Sequence, residues 1–184
     1  SLGIGKETAK ALVEKGANVL ITGRSEERLL KAKLYCNAET IEFDIADFDN
    51  IPKFAKECLS ILENRVDVLI NNAGIGVRSS IEELNIDDFL KVFNVNVFGL
   101  SLFTKEIVPL MKENKSGTII NIGSTASLKG YQTGSIYSAS KFAVRCLSQC
   151  WQAELRSFNI RVCQVNPSEV TTAFGNNSRI ERAE

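Results

Sequence analysis

The sequence predicts a doubly wound α/β fold, a parallel sheet sandwiched in three αβα layers. Three observations point there. Helix-like and strand-like apolar periods alternate along the chain. The strand-like runs are dense in Val and Ile without polar alternation, so both their faces are covered, as in parallel sheets. The connections are short, which suits right-handed βαβ units.

The elements follow in order. Residues 4–15 carry a helical apolar period, and NVLITG (18–23) is a short buried-strand run. A helix is expected at 25–35, a strand at TIEFD (40–44), a helix at 48–63 and a strand at VDVLINN (66–72). One long helical region spans 87–114, followed by GTIINIGS (117–124), a helix at 135–157 and IRVCQVN (160–166). No repeat or linker interrupts this order, so residues 1–184 read as one domain.

Composition narrows the chemistry. The 22 basic and 22 acidic residues cancel, which argues against nucleic acid or an anionic membrane surface as the main partner. No apolar run reaches the length of a membrane span. The five cysteines (36, 58, 146, 150 and 163) form no C-x-x-C pair and read as buried apolar thiols in a reducing, cytoplasmic setting. There is no histidine, which removes Ser-His-Asp and Cys-His nucleophiles and most catalytic zinc sites. Acid–base chemistry near neutral pH must then use a perturbed Tyr, Lys, Cys or carboxylate. Asp44, Asp47 and Asp49 lack the glycine and terminal Glu of a calcium loop, so Asp47 and Asp49 read as helix caps and no metal site is expected.

In a doubly wound sheet, ligands bind beyond the carboxyl ends of the strands. Gly23-Arg24, Asp44, Asn71-Asn72-Ala73-Gly74, Gly123-Ser124 and Asn166-Pro167 all fall there. Turn chemistry alone accounts for each Gly, Asn and Pro. It accounts less readily for Ser124, Tyr137 and Lys141 together. In YSASK, Tyr137 and Lys141 are four apart on one helix face, and an ammonium beside a phenol favours the phenolate. At the N-terminus SLGIG (1–5) opens a helix like a phosphate-cradling turn, with no strand before it.

GIG, NNAG (71–74), NVFG (96–99), Ser124, YSASK and NPSEVTT (166–172) resemble, in order and spacing, the motifs of the short-chain dehydrogenase/reductase family. The resemblance covers essentially the whole chain and implies a Rossmann-like fold and a nicotinamide cofactor. It implies that Tyr137 is the general acid or base, that Lys141 lowers its pKa and holds ribose hydroxyls, and that Ser124 orients the substrate oxygen. Asn96 would sit in a helix interruption and position a water next to Lys141. It is preferred to Asn94 because the family's asparagine stands three before a small residue, here Gly99.

The same resemblance assigns a cofactor cleft. Gly3, Ile4 and Gly5 would meet the pyrophosphate, Lys6 and Glu7 being solvated surface, and Asp44 with Ile45 would meet the adenine. Asn71, Ala73 and Gly74 would line the cleft, and Pro167, Val170 and Thr172 would meet the carboxamide. Gly23 stands where an acid would accept a ribose 2′-hydroxyl, and Arg24 and Ser25 follow, which favours a 2′-phosphate and hence NADP over NAD. The family's Pro-Gly is Pro167-Ser168 here, so a differently shaped nicotinamide-side loop is expected.

The reaction implied is interconversion of a carbonyl and a secondary alcohol, 3-oxoacyl thioesters being one substrate class and steroids, sugars and polyols others. A silent dinucleotide-binding regulator and a lyase- or epimerase-like relative are the alternatives; the complete Ser–Tyr–Lys–Asn set weighs against the first. Val77, Tyr131, Gln132 and Phe174 are candidate pocket residues, and 87–114 with 136–157 a candidate dimer or tetramer surface. By the resemblance, a strand and the start of the glycine motif are expected ahead of Ser1, and a last strand and helix after Glu184.

Overall fold

The computed structural model describes residues 3–172 and 174. All five strands pair in parallel. β1 (Leu20–Gly23) pairs with β2 (Glu39–Glu42) in the register Leu20↔Glu39, while β3 (Val68–Asn71) pairs with β4 (Gly117–Ile122) as Val68↔Thr118. β5 (Ile160–Val165) joins β4 as Gly117↔Ile160. Among the described residues this gives a two-stranded sheet, β1-β2, and a three-stranded sheet, β3-β4-β5. The strand expected ahead of Ser1 lies outside the described residues.

Helix α1 (Ile4–Val13) precedes β1, α2 (Glu26–Cys36) joins β1 to β2, and α3 (Ile51–Ile61) joins β2 to β3. Ser25 starts α2 by accepting the Arg28 amide at 3.5 Å, and Asn37 ends it in the left-handed conformation at φ 54°. Such caps satisfy amides and carbonyls that the helix itself cannot. At the start of α1, Lys6 is half-buried rather than solvated, 3.5 Å from Glu7 and 4.5 Å above the Tyr35 ring. Asp47 precedes a 3-10 turn, Phe48–Asn50, but its carboxylate takes the Asn50 amide at 2.9 Å instead of capping the backbone.

The expected helix over 87–114 is divided. α4 (Ile86–Phe93) and α5 (Leu100–Asn114) are joined by a π-helical turn, Asn94–Gly99. Two contacts from outside the helix account for it. The Asn96 side chain brackets the Ile75 backbone, accepting its N–H and donating to its carbonyl, both at 2.9 Å. Gly99 lets the Ile45 carbonyl come so close that any Cβ there would collide with it. An inserted π turn widens the helix by one residue and accommodates both.

Three apolar clusters hold the layers. Ala9, Ile21, Leu29 and Ala32 join α1, β1 and α2. Ile107, Met111, Ile119, Leu155 and Val162 join α5, β4, β5 and α6 (Ser135–Leu155). Ile75, Val92, Val95 and Ile136 lie close to the helix that carries Tyr137. A stacked pair, Phe43 on Phe54 at 3.9 Å, with Phe103 at 5.2 Å from Phe54, ties the β2 end to α5.

Of the cysteines, Cys36 and Cys58 are buried and Cys163 is half-buried. Cys146 and Cys150 correct the expectation: both are exposed, on the outer side of α6, whose inner side carries Val144, Ser148 and Leu155. Just before α6, Thr133 is β-branched and left-handed, φ 61°, a conformation that crowds its Cβ. Its carbonyl accepts the Ser79 amide at 3.0 Å, tying this bend to the segment after β3. Replacing Thr133 with Gly should raise unfolding stability by about 1 kcal/mol in a denaturant titration, strain relief outweighing glycine's entropy. A loss of stability would show that Thr133 is not strained.

Candidate active site

α6 presents the chemistry. Tyr137 and Lys141, one turn apart, both face inward, 8% and 4% exposed. The Lys141 ammonium donates to the Ile122 carbonyl at 2.7 Å and stands 5.8 Å from the centre of the Tyr137 ring. β4 ends at Ile122, and Ser124 follows at the head of a 3-10 turn, Thr125–Ser127, where its hydroxyl accepts the Ala126 amide at 3.1 Å. That hydroxyl also acts on the nearby Tyr137 phenol, favouring its charged form.

The electrostatics differ from the simple Tyr–Lys expectation. Burial pushes the Tyr137 phenol above its ordinary 10, the nearby Ser124 hydroxyl works the other way, and Tyr131 adds a smaller push upward. Burial also pulls Lys141 down to about 8. In this state Ser124 is what favours the phenolate, because the ammonium is itself desolvated and directed at Ile122.

Asn96 is fully buried in the π turn. Besides bracketing Ile75, its amide donates to the Ser140 hydroxyl at 2.9 Å, and Ser140 donates to the Tyr137 carbonyl at 2.7 Å. Asn96 thus reaches the backbone of the catalytic helix. A Cβ on Gly74 would sit 3.5 Å from the Asn96 Oδ1 and 3.6 Å from the Lys141 Nζ, so these three groups meet at one point.

The remaining predicted residues collect along the strand ends. Gly3 is left-handed, φ 56°, and packs on the Thr172 side chain, while Gly5 packs on Asn72. The first amides of α1 therefore open beside the loop after β5. Arg24 and Asp44 form an exposed ion pair at 3.9 Å, and Asp44 accepts the Ala46 amide at 3.0 Å. Ala73 is exposed at the cleft, and Pro167 is half-buried, its carbonyl accepting the Thr125 amide at 3.0 Å. Val170 is half exposed. Ser168 is not among the non-glycine residues with positive φ, so serine in place of glycine costs no strain. These residues fit a dinucleotide: a glycine turn bared at a helix N-terminus for the pyrophosphate, and an arginine at the ribose end.

Asn71, Ser25 and Ile45 go elsewhere. Asn71 is buried and donates to Thr104 at 3.0 Å and to Asn121 at 2.8 Å, tying β3 to β4 and α5. Ser25 caps α2, and Ile45 packs on the cluster with Ile75. Among the pocket candidates, Phe174 lies 5.6 Å from the Tyr137 ring and Tyr131 packs over Gly134. Val77 is partly buried beside Ile75, and Gln132 is exposed. Sequence reading missed Ser140, although it stands inside YSASK, and missed the Asn121 amide. Its partner Ser148 receives the Asn121 Nδ2 at 2.9 Å across 27 residues, a pairing no local pattern announces.

The short chain dehydrogenase sequence family matches residues 1–183. The chain belongs to that family. As a short-chain dehydrogenase it is 34% identical to dehydrogenase/reductase SDR family member 7B of Xenopus laevis, covering 96% of this chain and 58% of that one. It is also 34% identical to the 3-ketodihydrosphingosine reductase of Bacteroides thetaiotaomicron, covering 98% and 65%. The chain thus spans about 58–65% of these relatives' lengths. A short-chain dehydrogenase from Streptomyces avermitilis superposes with a TM-score of 0.87 at 33% identity, over 99% of this chain and 66% of that one. Serine dehydrogenase complexed with NADP+ gives 0.87 at 30% identity (95% and 72%), and NAD+-bound xylitol dehydrogenase 0.84 at 27% (90% and 65%). No helix among the described residues is long and apolar enough to cross a membrane.

Proposed function

We propose that this short-chain dehydrogenase is the catalytic part of an NADP(H)-dependent oxidoreductase that interconverts a carbonyl and a secondary alcohol. The observation that carries the reading is the burial of Tyr137 and Lys141 one turn apart on the same face of α6, with the Ser124 hydroxyl acting on the phenol. A carbonyl oxygen set between the two hydroxyls receives a hydrogen bond from Ser124 and its proton from Tyr137. The cofactor, when bound, supplies or accepts the hydride. Lys141 and Asn96 maintain the proton supply behind the phenol, and Gly74 leaves room beside them.

NADP is favoured by Arg24 at the end of β1, where no carboxylate stands on that strand to repel a 2′-phosphate. Asp44 stands 3.9 Å from the arginine and would yield it to the phosphate. Arg24→Ala should weaken NADPH binding about 10- to 100-fold, the scale of a charged hydrogen bond, and NADH binding by less than about 3-fold. Equal weakening of both in a fluorescence titration rejects the 2′-phosphate contact and leaves NAD as the cofactor.

The substrate end is apolar, with Leu128, Tyr131, Val170 and Phe174 all partly exposed. That suits hydrophobic ketones, including 3-oxoacyl thioesters and the long-chain keto compound in the name of the Bacteroides relative. Exposed Leu90, Phe98 and Phe142 on α4, the π turn and α6 support assembly into a homodimer or homotetramer. A panel of carbonyl substrates on the full-length protein, followed at the nicotinamide absorbance, tests the activity; a panel with no turnover under either cofactor would reject the reductase reading in favour of the silent regulator or the lyase- or epimerase-like relative.

A further inference from the structure

Beneath Ser124 lies a polar cluster that the tyrosine chemistry does not explain. The Ser124 amide donates to the Asn166 Oδ1 at 3.3 Å and to the Ser127 hydroxyl at 3.1 Å. The same Asn166 oxygen receives the Gln164 Nε2 at 2.6 Å. A Cβ on Gly123 would collide with both side-chain amides, so the glycine is what lets them close over the backbone at this point. The β4–β5 register, Asn121↔Gln164 and Ile122↔Val165, brings the pair beside Gly123 and Ser124.

The direction of these hydrogen bonds is fixed. A backbone N–H can only donate, so the Asn166 atom facing Ser124 must be its oxygen. That oxygen, 2.6 Å from the Gln164 side chain, requires the NH2 end of Gln164 there. Turning Gln164 round would set two oxygens against each other. The cost is visible: the Gln164 Oε1 is buried with no donor among the described residues. An apolar side chain at that position would avoid an unsatisfied buried oxygen. Gln164 is there for its donor.

We propose that Asn166 and Gln164 are positioning residues, which hold Ser124 against Tyr137 through a one-way chain of hydrogen bonds. This rests on the oxidoreductase reading of the site. Neither residue touches the phenol; both act through the backbone of Ser124. The groups acting on Tyr137 are the Ser124 hydroxyl, Tyr131 and the Lys141 ammonium, 5.8 Å from its ring. Loosening Ser124 weakens the hold of its hydroxyl on the phenolate, so the phenol should titrate higher.

The test uses the full-length protein with Asn166→Leu and Gln164→Leu. Turnover at the pH plateau should fall about 10- to 100-fold, the scale of a misplaced catalytic group, with NADPH affinity within about 2-fold. The basic-side pKa of the kcat profile should move up by about half a unit to one unit. Asn166→Asp keeps the accepting oxygen and should retain turnover at the plateau. The ultraviolet titration of Tyr137, taken as the difference between each variant and the same variant carrying Tyr137→Phe, follows the same shift without any turnover. If Asn166→Leu does not fold, Gln164→Met, close to it in volume, carries the test. A lowered Tm with an unchanged tyrosine midpoint and unchanged plateau kcat overturns the proposal, the cluster then being structural only. Absence of turnover in the wild type defeats the oxidoreductase reading instead, while the ultraviolet midpoint still decides whether the chain acts on Tyr137.

Discussion

Tyr137→Phe should bind NADPH within about 2-fold of the wild type and lose about 100- to 10,000-fold in turnover, the range of general acid–base catalysis. That loss corresponds to about 3–5 kcal/mol of transition-state stabilisation. The substitution removes one oxygen and leaves the ring, which packs at 5.6 Å against Phe174, so the fold has little reason to respond. A phenylalanine variant with turnover near that of the wild type would remove Tyr137 from the chemistry and with it the proton path proposed here. Single-turnover measurements with bound NADPH distinguish a lost proton donor from a lost substrate site, since only the second raises KM at constant kcat.

Lys141→Met should abolish turnover comparably, and should make the protein more stable near neutral pH. Burial lowers Lys141 from 10.5 to about 8, so its charged form is favoured less in the folded protein than in the unfolded chain. That difference corresponds to about 3 kcal/mol. The ammonium's bond to the Ile122 carbonyl is lost in the variant, so a net gain of about 1–2 kcal/mol is expected. The sign with pH follows from a folded-state pKa below the unfolded one. The cost is fully present below about pH 8 and is relieved as pH rises toward 10.5, where both states are neutral. The advantage of Lys141→Met over wild type should therefore shrink across that interval in paired denaturant titrations. A constant advantage, or none at pH 7, would show that the lysine is not held against its solvation.

Much of the architecture was legible because it is local. Val- and Ile-rich runs mark β3, β4 and β5, and the four-residue spacing of Tyr137 and Lys141 puts them on one face of any helix. The helix interruption at Asn96 was expected from the family resemblance alone and falls where expected, but its physical cause was not legible: the Ile75 backbone, nineteen or more residues upstream of the turn, is gripped by Asn96. The direction of Asn71 was equally hidden. NNAG marks a strand end, but only the register Asn71↔Asn121 shows that this side chain turns inward. The lysine's depressed pKa depends on enclosure by the assembled layers, which no pattern in YSASK records. The exposure of Cys146 and Cys150 shows the same limit in reverse, since residue type favoured burial and position on α6 overruled it.

The π turn also sets a phase. An α-helix advances about 100° per residue, so the one extra residue between Asn94 and Gly99 offsets α4 from α5 by about that angle. A single-residue deletion in this stretch would restore unbroken i→i−4 bonding through the junction and satisfy every helical amide. It would also rotate Val92, now wholly enclosed, away from Ile136, and swing Asn96 off the Ile75 backbone. The junction is therefore intolerant of length change although it tolerates helix. Between β3 and β4 the count of residues, as much as their identity, is what the site depends on.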